Sequence, residues 1–379
     1  LYGSQRSLLL LLRHLPTDRV RVFVSVARPG PLLPLLAALP QVTILSHRRL
    51  GWFKHDARRP LQAVGDSVAL VLAAPLRAFA LARLIRRHGI DLVHTNSVVS
   101  LEGALAAWWC KKPHVWHVRE LFVEFNPKLF PVLGRRLSRK LLERLADRVV
   151  CISQVVRRQF EPVAQRSQSR FRVIYNAFEP AVSQALQENP LELPPKPGFR
   201  LGYIGRLSEG KRFQDLLLAL AELERRGIVT IDLLVAGTFV DAAYEAAIQS
   251  LLERHHLRHR VHFLGFQEDL EPVFSAVDAV VVPSLNEPFG RVVIEAMAAG
   301  RPCIGANAGG IPEILTHERT GLLVPPQDPI ALADAIARLM REPELRDACR
   351  NNALNDVHSR FGVERYVREV LAVYDELTG

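Results

Sequence analysis

A chain of 379 residues, 49% hydrophobic and 23% charged, is long enough for two ordinary domains and is neither fibrous nor disordered in composition. Its net charge of +10 is unevenly spread: residues 1–190 carry 29 Lys/Arg against 12 Asp/Glu, and residues 191–379 carry 20 against 27. The basic half suits an anionic membrane surface or a phosphorylated acceptor. No basic stripe is interleaved with aromatics, which argues against nucleic acid.

In chain order, Gly3 and Ser4 followed by an apolar helical run to Leu15 read as a strand-to-helix loop whose strand is absent. The sheet's first central strand is therefore expected upstream. The opening residues lack a basic n-region and a small-residue cleavage site, so no signal peptide is expected. Strand-like runs follow at 20–27, 41–46, 91–96, 113–118, 147–153 and 171–176. The longest apolar stretch, 68–85, is interrupted by Pro75, Arg77 and Arg83 and reads as a buried or surface helix rather than a membrane span. The run 132–148 is basic and amphipathic. Leu133, Leu137, Leu141 and Leu145 share a face beside Arg135, Arg136, Arg139 and Lys140, which fits a domain helix with a solvated basic side or a contact with anionic lipid.

The proline-rich stretch 186–198 has no helical period and marks a linker, taken as 188–198, between a first domain, 1–187, and a second, 199–358. The second half restarts with strands at 199–205, 230–237, 260–265, 278–284 and 301–306, each followed by a helical run. Beyond a break at 359–362, a last helix over 363–377 either extends the second domain or crosses back to the first. Alternating strands and helices in two series predict an α/β fold of two Rossmann-like domains facing a central cleft. Cys110, Cys151, Cys303 and Cys349 form no C-x-x-C pair. They read as reduced thiols in a cytosolic protein without structural zinc.

Two motifs carry chemistry. In NEPFGRVVIEAMAAG, 286–300, Glu287 falls in a βα loop and Glu295 about two turns into the following helix. That spacing fits a long, hydroxyl-rich ligand at the carboxyl end of a parallel sheet. In GRLSEGK, 205–211, Arg206 and Lys211 flank a glycine-bearing loop before a helix, an arrangement suited to a diphosphate.

These runs, with LLVAG, HFLGF, ANAGGIPEIL and TGLLVPPQD, resemble the retaining glycosyltransferases of family 4 over nearly the whole second half. GSQRSLLLLL, DLVHTNS, HVWHVRE, CISQ and VIYNAFEP extend a looser likeness into the first. The resemblance implies the GT-B architecture with a donor nucleotide in the second domain. It assigns Arg206 and Lys211 to the donor diphosphate, Glu287 to the donor sugar and Glu295 to the ribose. Phe289 and Gly290 fall where backbone meets sugar and phosphate, and Gly265 and Phe266 beside the base. On the acceptor side it points to Gly3, Ser4, Asn96 and His117, the last near the transferred sugar. His117 is equally readable as a core histidine, and Arg119 with Glu120 as a local ion pair. His94, Thr95 and Ser97 are weaker acceptor-side candidates. Asn176-Ala177 stands where the family has Asn-Gly, so this turn must tolerate a β-carbon.

The activity so implied is sugar transfer from a nucleoside diphosphate donor to a saccharide or lipid-linked hydroxyl, with retention. It belongs to polysaccharide or glycolipid synthesis, on the cytoplasmic side and peripheral to the membrane. No metal or other cofactor is called for, because Arg206 and Lys211 supply the positive charge. Glu287, His117, Arg206 and Lys211 are the catalytic candidates. A nucleotide-sugar epimerase and a non-catalytic sugar-nucleotide-binding protein are the alternatives.

Overall fold

A computed structural model describes residues 3–26, 30–46, 53–54, 60–121, 130–131, 135–161, 168–179, 193, 195–196 and 198–379. The chain separates into two compact units, Leu1–Asn176 with Val363–Gly379, and Ala177–Gly362. Most of the expected linker 188–198 lies outside the described residues.

The first unit begins with the helix Gly3–His14, whose Leu9 to Leu12 are all buried. Strands β1 (Val22–Val26) and β2 (Val42–Ser46) pair in parallel. A short antiparallel pair joins β3 (Phe53–Lys54) to β6 (Phe130–Pro131). The main sheet is parallel, in the order β4 (Val93–Asn96), β5 (His114–Val118), β7 (Arg148–Cys151), β8 (Phe171–Val173). Strand β5 is buried along its whole length, as a central parallel strand must be. The apolar stretch 68–85 lies in the helix Pro60–Arg87, which carries Pro75 inside it and packs on the helix Glu102–Cys110. Among the described residues, no helix is long and apolar enough to cross a membrane.

The helix Arg135–Leu145 buries Ser138 and Leu142 and leaves Leu137 48% exposed beside exposed Arg136 and Lys140. The leucine stripe read from the sequence is therefore not its inner face: Leu142 is the fully buried leucine, and Leu133 lies outside the described residues. The helix Pro343–Phe361 runs through the expected break, which narrows to Gly362. The next helix, Val363–Thr378, belongs to the first unit and packs against Gly3–His14.

The second unit is a six-stranded parallel sheet. Its order is β11 (Val261–Gly265), β10 (Ile231–Ala236), β9 (Phe199–Ile204), β12 (Ala279–Val282), β13 (Cys303–Ala306), β14 (Leu322–Val324). Strand β14 comes from TGLLVPP, which the sequence pattern did not single out as a strand. Its three residues are too few to show a period. Leu201, Leu216, Leu220, Leu233, Val281, Ile304 and Ile336 fill the core between sheet and helices. From β9 the chain builds outward through β10 and β11, then returns to β9's other side with β12. The order reverses between β9 and β12, which is where open α/β sheets form their binding crevice.

Candidate functional site

Both strong motifs meet at that reversal. The loop after β9 carries Arg206 and Lys211, and the loop after β12 carries Glu287. The Lys211 ammonium pairs with the Glu287 carboxylate across the switch point. Glu287 is 8% exposed, and Leu285 N donates to Gly210 O at 3.1 Å, so backbone also ties the two loops together. Tyr203 is buried at the end of β9, and its hydroxyl donates to the Arg206 carbonyl at 3.1 Å. Burial pushes the Tyr203 phenol well up. The charges of Tyr244 and Glu287 add to that effect and Arg206 opposes it, so Glu287 and Arg206 act on the same ring. Arg206 itself is exposed.

Two glycines outside the expected set hold Glu287 in place. Gly310 N donates to the Glu287 carbonyl at 2.8 Å, and a Cβ on Gly309 would stand 2.5 Å from that same oxygen. A Cβ on Gly310 would come within 2.7 Å of Phe289 Cα. Only glycine lets the AGG segment lie this close to the NEPF loop. Phe289 is buried and packs edge-on against Phe361, so its ring anchors the loop rather than facing a ligand. Gly290 has φ +107° and precedes the helix Arg291–Ala298. Glu295, on that helix, pairs with Arg291 at 2.9 Å, a partner the sequence reading did not identify although the i, i+4 spacing signals it.

The ends of β9, β10 and β11 close together as well. Gly237 N donates to Gly265 O at 2.7 Å, and a Cβ on Gly237 would lie 1.9 Å from Gly205 O. Gly265 has φ +68°, and Phe266 beside it is 58% exposed. The structure thus gathers Lys211, Glu287 and the turns holding Arg206 and Gly265 at the carboxyl edge of one sheet. This edge offers cations, carboxylates and close-approach backbone without side chains in the way, which suits a phosphorylated, hydroxyl-bearing ligand.

In the first unit a buried polar cluster centres on Arg119. Its Nε donates to Asn96 Oδ1 at 2.6 Å, Nη1 to Asn176 Oδ1 at 2.7 Å and Nη2 to the Tyr366 hydroxyl at 3.0 Å. Asn96 in turn donates to the Ser4 carbonyl at 3.2 Å. Nη2 also lies 3.4 Å from His117 Nδ1. Ser4, Asn96 and His117 are therefore brought together, through an arginine that the sequence reading had assigned elsewhere. The expected Arg119–Glu120 ion pair is not what forms. Glu120 instead accepts from the Ser97 hydroxyl and from the amides of Val98 and Arg119 at 3.2 and 3.1 Å, and burial raises its carboxyl. Gly3 opens the first helix and is exposed.

His117 is fully buried, and its Nε2 has no hydrogen-bond partner. Its Nδ1 lies 3.3 Å from His94 Nε2, and His94 Nδ1 lies 2.6 Å from the Tyr374 hydroxyl. Burial first, then Arg119, then the other histidine, hold His117 well below the usual imidazole range. Burial, Arg119 and His114 likewise push His94 down to about 3. Thr95 is spent inside the core, 2.8 Å from His114 Nε2. Ser97, at φ +94°, holds Glu120, so of the weaker candidates only His94 joins the cluster. Ala177 is not among the described non-glycine residues with positive φ, so the Asn-Ala turn carries its β-carbon without strain.

Comparisons with known proteins bear on the family and the fold. The "Glycosyltransferase Family 4" family matches residues 2–182, and "Glycosyl transferases group 1" matches residues 188–356. The chain is 27% identical to the D-inositol 3-phosphate glycosyltransferase of Corynebacterium urealyticum, over 85% of each chain. It is 26% identical to the N-acetyl-alpha-D-glucosaminyl L-malate synthase of Bacillus anthracis, over 78% of this chain and 77% of that one. Among solved structures, Anabaena HepE in complex with UDP and glucose superposes with a TM-score of 0.78 at 24% identity, covering 99% of this chain and 96% of that one. This likeness shows the two-domain GT-B fold. The chain belongs to glycosyltransferase family 4 and is a glycosyltransferase.

Proposed function

We propose that this enzyme moves a sugar from a nucleoside diphosphate donor to a hydroxyl acceptor with retention at the anomeric carbon. The observation that carries this reading is the Lys211–Glu287 pair, set across the strand-order reversal between β9 and β12. A cation and an acid on facing loops match a molecule that is anionic at its phosphates and hydroxylated at its sugar. In support, HepE has been solved with UDP and glucose and with UDP-glucose, which makes a UDP-sugar the first donor to test.

In this reading Arg206 and Lys211 neutralise the diphosphate as the glycosidic bond breaks. Glu287 orients the donor sugar, and Glu295, steadied by Arg291, takes the ribose hydroxyls. Gly265 and Phe266 border the base. The leaving phosphate takes the acceptor proton on the front face, and the protein contributes orientation and exclusion of water. No metal is needed, because the two cations supply the charge. His117, held neutral, donates from Nε2 to a substrate oxygen near Asn96 and Ser4. The acceptor is a saccharide or lipid-linked hydroxyl, and the basic first unit meets an anionic membrane on its cytoplasmic face.

Incubation with a panel of nucleoside diphosphate sugars, followed by anomeric analysis of the products, tests this. Released nucleoside diphosphate and an α-linked product from an α-configured donor are expected. Interconversion of the sugar while it stays on the nucleotide, donor binding without turnover, or an inverted linkage would each overturn the reading.

A further inference from the structure

The first unit exposes an aromatic surface that neither sugar transfer nor the core uses. Trp108 is 67% exposed, Trp109 42%, Phe79 54% and Leu76 73%. Burying such side chains is the ordinary outcome of folding, and a contiguous exposed group of them marks a contact surface. The group is contiguous. Phe79 and Trp109 meet edge-on with ring centroids 5.9 Å apart, on the packed helices Pro60–Arg87 and Glu102–Cys110. Along the first helix, Leu76, Phe79, Arg83, Arg86 and Arg87 fall on one face by their spacing. The stripe passes from apolar to cationic within three turns, and Arg83, Arg86 and Arg87 are all exposed. Arg86 Nη2 reaches the Trp109 carbonyl at 3.4 Å, which ties the cationic end to the aromatic end. Lys111, just past the second helix, is exposed as well, while the nearby acid Asp91 is held by Lys112 at 3.4 Å.

Tryptophan and phenylalanine ringed by arginine and lysine is the chemistry of the lipid–water interface. The rings sit at headgroup depth and the cations meet anionic phosphates. We infer that this face, Leu76, Phe79, Trp108 and Trp109 with Arg83, Arg86, Arg87 and Lys111, docks the enzyme on an anionic phospholipid surface. The inference rests on the reading that the basic unit meets a membrane, and it moves the contact away from the helix Arg135–Leu145. Charge disfavours a second copy as the occupant, because a two-fold contact through this face would set the same four cations against one another.

Sedimentation with phosphatidylcholine vesicles, with and without about a third phosphatidylglycerol, tests the assignment at low and high salt. The wild-type protein should pellet with the anionic vesicles alone, less so at high salt, with a blue shift of its tryptophan emission. A Trp108→Ala/Trp109→Ala variant and an Arg83→Ala/Arg86→Ala/Arg87→Ala variant should each bind roughly tenfold or more weakly while keeping the wild-type thermal melt. Arg136→Ala/Lys140→Ala should bind as the wild type does. If the wild type fails to pellet, the membrane reading itself falls. If it pellets and both patch variants pellet equally well, only this assignment falls. A dimer in size-exclusion chromatography that the tryptophan variant dissolves, without vesicle binding, would give the face to a second copy instead.

Discussion

The Tyr374 hydroxyl lies 2.6 Å from Nδ1 of His94, although 280 residues separate them in the chain. The phenol donates to His94 Nδ1, because Arg119 can only donate to His117 Nδ1 and the His94 Nε2 that faces the same acceptor must therefore carry the proton. That proton points to His117 Nδ1, 3.3 Å away, which Arg119 Nη2 also approaches at 3.4 Å. With two donors facing Nδ1, His117 carries its own proton on Nε2. Tyr374→Phe removes the first donor and leaves a half-buried nitrogen without its partner. It should lower stability by about 1–3 kcal/mol, read from denaturant melts. Turnover should fall by less than tenfold, since the residue acts only through two others. Unchanged stability would show that the relay is not formed.

The same burial sets an acid limit. His94 is held down to about 3 and His114 to about 4, in each case by burial first. Unfolded, both would titrate near 6.5. Below that value the unfolded chain takes up protons that the folded chain refuses, so stability is whole above pH 6.5 and declines toward pH 4. Each histidine contributes a slope of about 1.4 kcal/mol per pH unit. Urea melts at pH 7.5 and 5.0 should differ by a few kcal/mol, and His114→Asn should flatten the difference. An equal midpoint at both pH values would contradict it.

Lys211 should matter both to chemistry and to folding. Lys211→Ala should cost on the order of 3 kcal/mol of transition-state stabilisation, a loss of roughly a hundredfold or more in kcat/KM for the donor. Its thermal melt should fall as well, because the change leaves the buried Glu287 carboxylate without its cation. Lys211→Arg should recover part of the rate. A wild-type rate in Lys211→Ala would remove the diphosphate from this loop.

Gly310→Ala tests the support beneath Glu287. The added methyl would press on Phe289 Cα at 2.7 Å and on the Pro288 carbonyl oxygen at 2.9 Å, so the loop must shift. An overpacked site of this kind loses about 1–3 kcal/mol. Donor KM should rise while the far side of the sheet stays intact by hydrogen exchange. Normal donor affinity would show that the NEPF loop holds its position without the glycine pair.

The parallel sheet of the second unit was legible because its strands are near-continuous apolar runs with helical runs between them. Lys211 and Glu287 were legible because each follows such a strand directly. What joins them was not: the strand order that makes β9 and β12 neighbours is a tertiary fact, as is the approach of Gly309 and Gly310 to Glu287. The helix Arg135–Leu145 shows the opposite failure. Its leucines have a clear period, yet Leu142, one position off the chosen stripe, is the one fully buried. The His117 cluster was half visible. Asn96 and His117 stand at adjacent strand ends, paired in register, but the phenols that complete it come from beyond the second unit.

Those phenols impose an order on biosynthesis. Tyr366 and Tyr374 leave the ribosome only after the whole of Ala177–Gly362 has been made, while the strands they complete are synthesised before it. The later-coded unit is one continuous segment and needs nothing from the closing helix, whereas the earlier-coded one waits, with Arg119 and His94 lacking their hydroxyl partners, until that helix arrives. A chain that stopped at Gly362 would hold every residue of the second unit yet leave the first without Tyr366 and Tyr374, and that unfinished first unit is what chaperones would be expected to engage.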